Sequence, residues 1–405
     1  MGNIKVSKRD SCRICKGNML IPWLRLKDMP LTDDLRKSKK EDEFLNDIVI
    51  YYCSECGTSQ TLHDISYDNY YDNYSYTVSS SEFANDFMKK LATKVFDEYN
   101  LSKDSRVIEI GSGDGKQLLC FKELGADVFG FEPSSELCEV SMRIGVPVYP
   151  GLFNEDSLED VPDRFRQADV IILTYTFDHI PEPANFLDNA MKLIDKENGL
   201  LIIEVHDLEK ILERKEYCLF EHEHTIYMSR ESLTRTLEKA GFEVIPKDLL
   251  DESECRGNSL LIIAKVKGDS VDESKLSKKF QGDIEIYNDF EKKLKISINN
   301  IDNFIIHNHT LGKKIAGFGA GGRGVMTLAA ISSFQKIDYV CDNNKSMQGL
   351  ITPKTHIPVV DPIHIKDNPI DIVIAFSYGY IDEIKKQVKS ITSREIQVIS
   401  LLDLL

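Results

Sequence analysis

Residues 106–134, RVIEIGSGDGKQLLCFKELGADVFGFEPS, do most to narrow what this chain can become. The apolar run Val107 to Ile110 is followed by glycines 111, 113 and 115 and then by a helical stretch, the order of a strand, a turn and a helix. Glycines at such a turn let the backbone approach a ligand beside the positive N-terminus of a helix. A second strand, Val128 to Phe131, ends in Glu132, about 20 residues past the turn, where a carboxylate can accept from both hydroxyls of a cofactor ribose. The alternation continues through ADVIILTY (168–175), LLIIEV (200–205) and SLLIIAKV (259–266), with helices between, which implies an α/β doubly wound sheet. Catalytic groups of such a sheet emerge at the carboxyl ends of its strands.

At 405 residues the chain divides into several domains rather than one core. Its 66 acidic and 50 basic side chains leave a net charge of −16, which argues against a nucleic-acid or anionic-membrane partner. The apolar runs are strand-length, so no membrane-spanning helix is expected. MGNIKVSKRD carries no apolar stretch behind its basic residues, and a cytoplasmic location is the default expectation. Nine cysteines then argue for thiols or metal ligands and against disulfides. Cys12 with Cys15 and Cys53 with Cys56 form two C-x-x-C grips able to share one tetrahedral ion, so a structural Zn2+ is expected. Two unrelated surface turns are the alternative, favoured by the long insert between the pairs. Four thiolates leave no position open for water, so the ion folds the module and does not catalyse. Cys120, Cys138, Cys218, Cys255 and Cys341 read as small core side chains.

Further motifs fall where the sheet would place chemistry. TYTFDHIPEP follows the fourth strand and sets His179 just beyond its end; HEHTIYMS, with His222, Glu223, His224 and Tyr227, follows the fifth. Two imidazoles thus reach one edge from separate loops. Metal ligation by H-E-H is disfavoured, because i and i+2 on a helix point apart. The tyrosine-dense segment 67–83 precedes a helix expected to start near Glu82, and its rings either contact a ligand or pack as a lid. Beyond an amphipathic helical stretch from Asp283 to His309, IAGFGAGGRGVMT (315–327) reads as a strand and a glycine loop, with Arg323 able to pair with an anion through its planar fork. NAD binding and a plain packing turn remain alternatives for this loop, as NAD does for the first.

The G-S-G-D-G turn behind Glu109 resembles class I S-adenosylmethionine (SAM) methyltransferases. That resemblance implies that Glu109, Gly111, Gly113, Asp114 and Gly115 surround the cofactor and that Glu132 holds its ribose. A cysteine knuckle pair, then a SAM fold with DHIP (178–181) and HEHTIYMS (222–229), then a second nucleotide-binding-like domain with VCDNNKSMQG (340–349) and PKTHIPVVDP (353–362) resembles the sugar C-methyltransferases of deoxysugar biosynthesis. The resemblance implies a three-part enzyme: a zinc module at 1–66, a Tyr-rich connector at 67–100, a SAM domain at 101–268, a helical linker at 269–310, and a Rossmann-like nucleotide-sugar domain at 311–405. It also implies methylation at C3 of a nucleotide-linked, usually dTDP-linked, 4-keto-6-deoxyhexose, with the Gly319 and Arg323 loop serving the diphosphate. This sequence departs from the family at several positions. Glu221 stands where Tyr precedes H-E-H, Tyr175 where Asn is usual, and Arg256, Gly257, Asn258, Ser259 replace H-G-G-S. Lys354 takes the glycine position of P-G-T-H-I-P. Glu221 and Asn258 thereby become candidate substrate contacts.

A sugar carbon attacks a sulfonium methyl only as an enolate, so a base must remove the C3 proton while donors hold the enolate oxygen. Imidazole titrates near neutrality and suits that task. The expected base is His224, with His179 orienting or stabilising; the reverse assignment stays open. Glu223 is expected to orient His224, and Tyr76 or Tyr227 to donate to a sugar oxygen. An O- or N-methyltransferase on this scaffold and a non-catalytic binding scaffold are the other classes. A monomer or weak homodimer is expected.

Overall fold

The computed structural model describes residues 4–39, 43–66, 81–267 and 284–405. Tyr76 and its tyrosine-rich neighbours at 67–80 lie outside the described residues. The chain forms two compact units from interleaved stretches: Met1–Ile21, Tyr52–Asp207 and Thr225–Gly282 make the first, and Pro22–Tyr51, Leu208–His224 and Asp283–Leu405 the second. No described helix is long and apolar enough to cross a membrane.

The first unit is organised by a seven-stranded sheet. Its spatial order is Phe242–Val244, Leu260–Val266, Leu200–Val205, Val170–Thr174, Arg106–Ile110, Asp127–Glu132, Val148–Pro150. Neighbours pair in parallel except around Leu260–Val266, which runs antiparallel to both of its neighbours. The strands read as unbroken apolar runs because both faces are covered. Ile108, Phe131, Ile171 and Leu173 pack on one side, and Val107, Val128, Val170 and Ile172 on the other. Chain order reverses between the Arg106 and Val170 strands, the switch point where open α/β sheets bind ligands. The helix Glu82–Glu98 starts as the sequence suggests, with Ser81 Oγ accepting from the Ala84 amide at 3.3 Å.

In the second unit a five-stranded, fully parallel sheet has the order Val359–Val360, Val340–Cys341, Ile315–Phe318, Ile372–Ala375, Gln397–Ser400. The expected amphipathic helix spans Ile284–Thr310. Its Tyr287 and Phe290 pack on Trp23, the chain's single tryptophan, with ring centroids at 4.7 and 5.9 Å; Phe220 adds an edge contact at 5.6 Å. At Lys354 the backbone takes φ +63°, the conformation a glycine adopts freely. The side chain offsets some of that strain by donating Nζ to the Ala329 carbonyl at 2.7 Å.

Because Trp23 is 4% exposed and anchors this aromatic cluster, Trp23→Ala should cost about 3–5 kcal/mol in the unit that holds it. Denaturant unfolding followed by circular dichroism measures this, and a loss below about 1 kcal/mol would contradict the packing described.

Candidate active site

At the switch point the glycine turn is shaped by backbone that only glycine takes easily. Gly111, Gly113 and Gly115 have φ of +72°, +53° and +77°, and a Cβ at Gly111 would run into Thr176 Oγ1. Glu132 ties the turn to the next strand, accepting the Gly113 amide at 2.8 Å on one oxygen and the Ser134 amide at 2.7 Å on the other. Each oxygen keeps a second lone pair for ribose hydroxyls. Asp114 is buried at the turn and accepts the Lys116 amide at 3.2 Å. Burial first, then the charges of Asp114 and Glu132, push the Glu109 carboxyl well above the ordinary carboxylate range, while Arg256 opposes them. Glu109 Oε2 and Ser112 Oγ are buried with no hydrogen-bond partner among the described residues. An orphaned Glu109 oxygen beside the Asp114 and Glu132 carboxyls fits a cationic cofactor with hydroxyl and ammonium donors, and SAM is one.

The four knuckle sulfurs lie within 4.8 Å of one another, with Cys12–Cys56 and Cys15–Cys53 both at 3.6 Å. The edge of a tetrahedron with Zn–S bonds of about 2.3 Å is about 3.8 Å, so the set fits a structural zinc ion. Neighbouring thiols pull the Cys12 thiol far down and push those of Cys53 and Cys56 far up; a divalent cation lets all four ionise. Gln60 Nε2 donates to Cys12 Sγ at 3.0 Å and thereby orients that ligand.

Arg13, between the first two cysteines, is fully buried. Its guanidinium pairs with Asp64 at 2.7 Å and donates to the carbonyls of Thr61, His63 and Pro181, each at 3.0 Å. Burial, then the Arg13 charge, pushes His63 down to about 4, so it stays neutral beside the cation. Arg9 and Lys16 both pair with Glu182. The knuckle therefore grips the D-H-I-P loop that carries half-buried His179. It also grips the other histidine loop: Ser59–Thr61 pairs with Ile226–Tyr227, placing buried Tyr227 opposite Ser59. Thr225 donates its amide to the Asp178 carbonyl at 2.7 Å and its hydroxyl to that of Ile180 at 2.8 Å.

His224 directly precedes Thr225. It is 4% exposed, and its Nδ1 lies 2.9 Å from the Leu219 carbonyl. A carbonyl only accepts, so Nδ1 carries a proton. The partner on Nδ1 is thus a backbone carbonyl, not Glu223. Residues 221–225 are irregular rather than helical, and His222 turns instead to the Met29 carbonyl at 3.0 Å. Glu223 accepts from the Thr32 amide at 3.0 Å, and Thr32 Oγ1 also donates to Glu221 at 3.2 Å. Burial, Asp33 and Glu221 together push the Glu223 carboxyl up to about 8. Glu221 itself lies against Gly322, at the start of the helix after the second glycine loop, where a carboxylate meets the positive helix end. In that loop Gly319 takes φ +100° and Asp342 accepts the Ala320 amide at 2.7 Å, the same tether that Glu132 makes in the first unit. Arg323 stacks on Tyr378 with its Nε donating to the hydroxyl at 3.2 Å. Asn258 is fully buried, and its Oδ1 accepts the Asp207 amide at 2.7 Å.

Sequence reasoning passed over Arg13, Thr32, Asp178, His206 and Asp342. The last three sit at or just past strand ends, a position that could have marked them.

Metal analysis should find one zinc per chain. Cys12→Ser should lose it and lower Tm steeply, because metal binding is folding free energy; a metal-free preparation with an unchanged Tm would contradict the site. Glu223 has its folded pKa above its ordinary 4.5, so it favours the fold below that value and withdraws that support as pH rises towards 8. Glu223→Gln should therefore gain on wild type in thermal melts by several degrees between pH 5 and pH 9. A pH-independent difference would show that Glu223 is ionised throughout.

Three family models match the chain in succession: a zinc binding domain over residues 12–71, a methyltransferase domain over 81–247 and a C-methyltransferase C-terminal domain over 262–402. C-methyltransferase NovU of Streptomyces niveus is 25% identical over 389 residues, covering 93% of this chain and 91% of that protein. A SAM dependent methyltransferase from Archaeoglobus fulgidus is 16% identical, covering 44% of this chain and 94% of that structure at a TM-score of 0.34. The plantazolicin methyltransferase BpumL, solved with SAH, is 12% identical, covering 46% of this chain and 84% of its own at a TM-score of 0.36. With its cofactor cradle, its four-sulfur site and these three successive matches, the chain has the make-up of a SAM-dependent C-methyltransferase, with a zinc binding domain ahead of the methyltransferase domain and a C-methyltransferase C-terminal domain behind it.

Proposed function

We propose that this enzyme methylates C3 of a nucleotide-linked 4-keto-6-deoxy sugar, dTDP being the expected carrier, in deoxysugar or surface-glycan biosynthesis. In this reading residues 1–66 are the zinc module, 101–268 the SAM domain and 311–405 the nucleotide-sugar domain. Bound SAM supplies an electrophilic methyl group on sulfur. The chain's own residues then have three tasks: to bind both reactants, to take a proton from C3, and to support the oxygen that gains charge.

The observation that carries the reading is the state of His224. Its Nδ1 proton is committed to the Leu219 carbonyl, so the ring's orientation is fixed and Nε2 is the nitrogen assigned to take the C3 proton. His179, on the loop gripped by Arg13 through Pro181, is assigned to orient the sugar or steady the enolate oxygen. Glu109, Gly111, Gly113, Asp114, Gly115 and Glu132 are assigned to SAM. Gly319 and Arg323 are assigned to the diphosphate, Glu221 and Asn258 to the substrate, and Tyr227 and Tyr76 to sugar oxygens. Glu223 is assigned a supporting role, through Thr32 and Glu221 rather than through Nδ1 of His224.

His224→Ala should lower methyl transfer by about 10²–10⁴-fold while leaving SAM affinity near wild type, since it removes a proton acceptor and no cofactor contact. Calorimetry beside a product-mass assay with dTDP-, GDP- and CDP-linked 4-keto sugars separates the two. Turnover within threefold of wild type would remove His224 from the chemistry, and a methylated hydroxyl or amine in the product would replace C-methylation by O- or N-methylation.

A further inference from the structure

The first unit holds a histidine at a strand end that the reading above leaves unused. His206 follows the strand Leu200–Val205, and its Nδ1 lies 2.8 Å from Oδ2 of Asp178, just past the adjacent strand Val170–Thr174. Asp178 is 3% exposed, while the His206 side chain keeps 12% of its surface accessible. A carboxylate on Nδ1 accepts the proton there and leaves Nε2 as the exchanging nitrogen, the arrangement by which a carboxylate orients an imidazole for proton transfer.

The surroundings hold that ring in place. Tyr175 lies against it at 4.5 Å between centroids, with a backbone φ of +51° that non-glycine residues rarely adopt and that tends to cluster at functional sites. The Tyr175 hydroxyl donates to the Asn258 carbonyl at 2.6 Å. The Arg256 guanidinium stands 4.6 Å from the Tyr175 ring and is itself fixed by Glu204, which also accepts from Ser259 at 2.7 Å. Tyr175, Arg256 and Asn258 are three of the positions at which this sequence departs from the family it resembles. Arg256 and Asn258 both meet Tyr175, which packs on His206. The cluster is also continuous with the cofactor turn, because Thr176 packs on Gly111 and the Arg256 charge acts on Glu109.

We infer that His206, oriented by Asp178, is a second acid–base group of this enzyme. It donates a proton to the acceptor's carbonyl oxygen as the neighbouring carbon is deprotonated. In that step the C–H proton passes to the base and the C–H electron pair becomes the new carbon–carbon π bond. The carbonyl π pair moves to oxygen, which takes the Nε2 proton of the His206 imidazolium and leaves a neutral ring whose Nδ1–H stays on Asp178. Asp178 and Tyr175 are positioning residues. The inference rests on the proposed C-methylation and specifies an acceptor with a carbonyl next to the reacting carbon.

The test follows solvent deuterium entering C3 of dTDP-4-keto-6-deoxyglucose without SAM, and methyl transfer with SAM, for wild type, His206→Gln and Asp178→Asn. Both rates should fall together by about 10²–10⁴-fold in His206→Gln, through kcat with KM little changed. Asp178→Asn should fall less and lose the downfield imidazole N–H resonance that a carboxylate-bound Nδ1 gives in proton NMR. Wild type that exchanges and methylates beside a His206→Gln variant within threefold of it overturns the role of His206 and leaves C-methylation standing. A wild type that methylates without any exchange at C3 overturns both. Should His206→Gln fail to fold, Asp178→Asn decides the matter: an unchanged exchange rate, or no downfield resonance in wild type, rejects the pair.

Discussion

A cation buried between two cysteines organises the first unit. Arg13 is fully buried, and a guanidinium in that position must satisfy its donors from the protein or cost several kcal/mol. It does so with one carboxylate and three backbone carbonyls drawn from residues 61, 63 and 181. The guanidinium fork has a fixed shape, so those carbonyls have little freedom, and neither does the loop that carries Asp178 and His179. Cys12 and Cys53 lie in the same apolar cluster as Phe177 and Ile226. The sulfur site thus fixes Arg13, and Arg13 fixes the histidine loop. A zinc site with no open position for chemistry can in this way still govern it.

The two glycine turns show one device used twice. In each unit a carboxylate at the end of the second strand accepts an amide of the turn before it, Glu132 from Gly113 and Asp342 from Ala320. Their surroundings then diverge. The first turn gathers the carboxyls of Glu109, Asp114 and Glu132, whose mutual repulsion a bound cation would relieve. The second places Glu221 against Gly322 and keeps Arg323 on the Tyr378 ring. A helix N-terminus that already faces a carboxylate is a different partner for a phosphate than a bare one, and this is where Glu221 in place of the family's Tyr has its physical consequence.

Much of this architecture was legible in the sequence, for reasons of range. Strands buried on both faces write themselves as apolar runs, so Leu200–Val205 appears in the sequence with the bounds it has in the fold. C-x-x-C spacing and glycine turns are local signals of the same kind. What escaped is long-range and polar. Nothing near Arg13 announces that carbonyls 48, 50 and 168 residues away will bury it. The Thr32 partnership with Glu223 spans 191 residues, and without it Glu223 looked like the natural orienter of His224. His206 was passed over because its partner Asp178 lies on another loop, although both occupy the strand-end position where chemistry concentrates.

The enolate chemistry turns on which atom receives the methyl group. SAM carrying a 13C-labelled methyl, incubated with the enzyme and dTDP-4-keto-6-deoxyglucose, gives a product whose labelled carbon can be read by NMR for its bonded neighbour. One-bond coupling from the label to a sugar ring carbon is the expected result. A label bonded to oxygen or nitrogen would contradict the enolate chemistry assigned to these histidines.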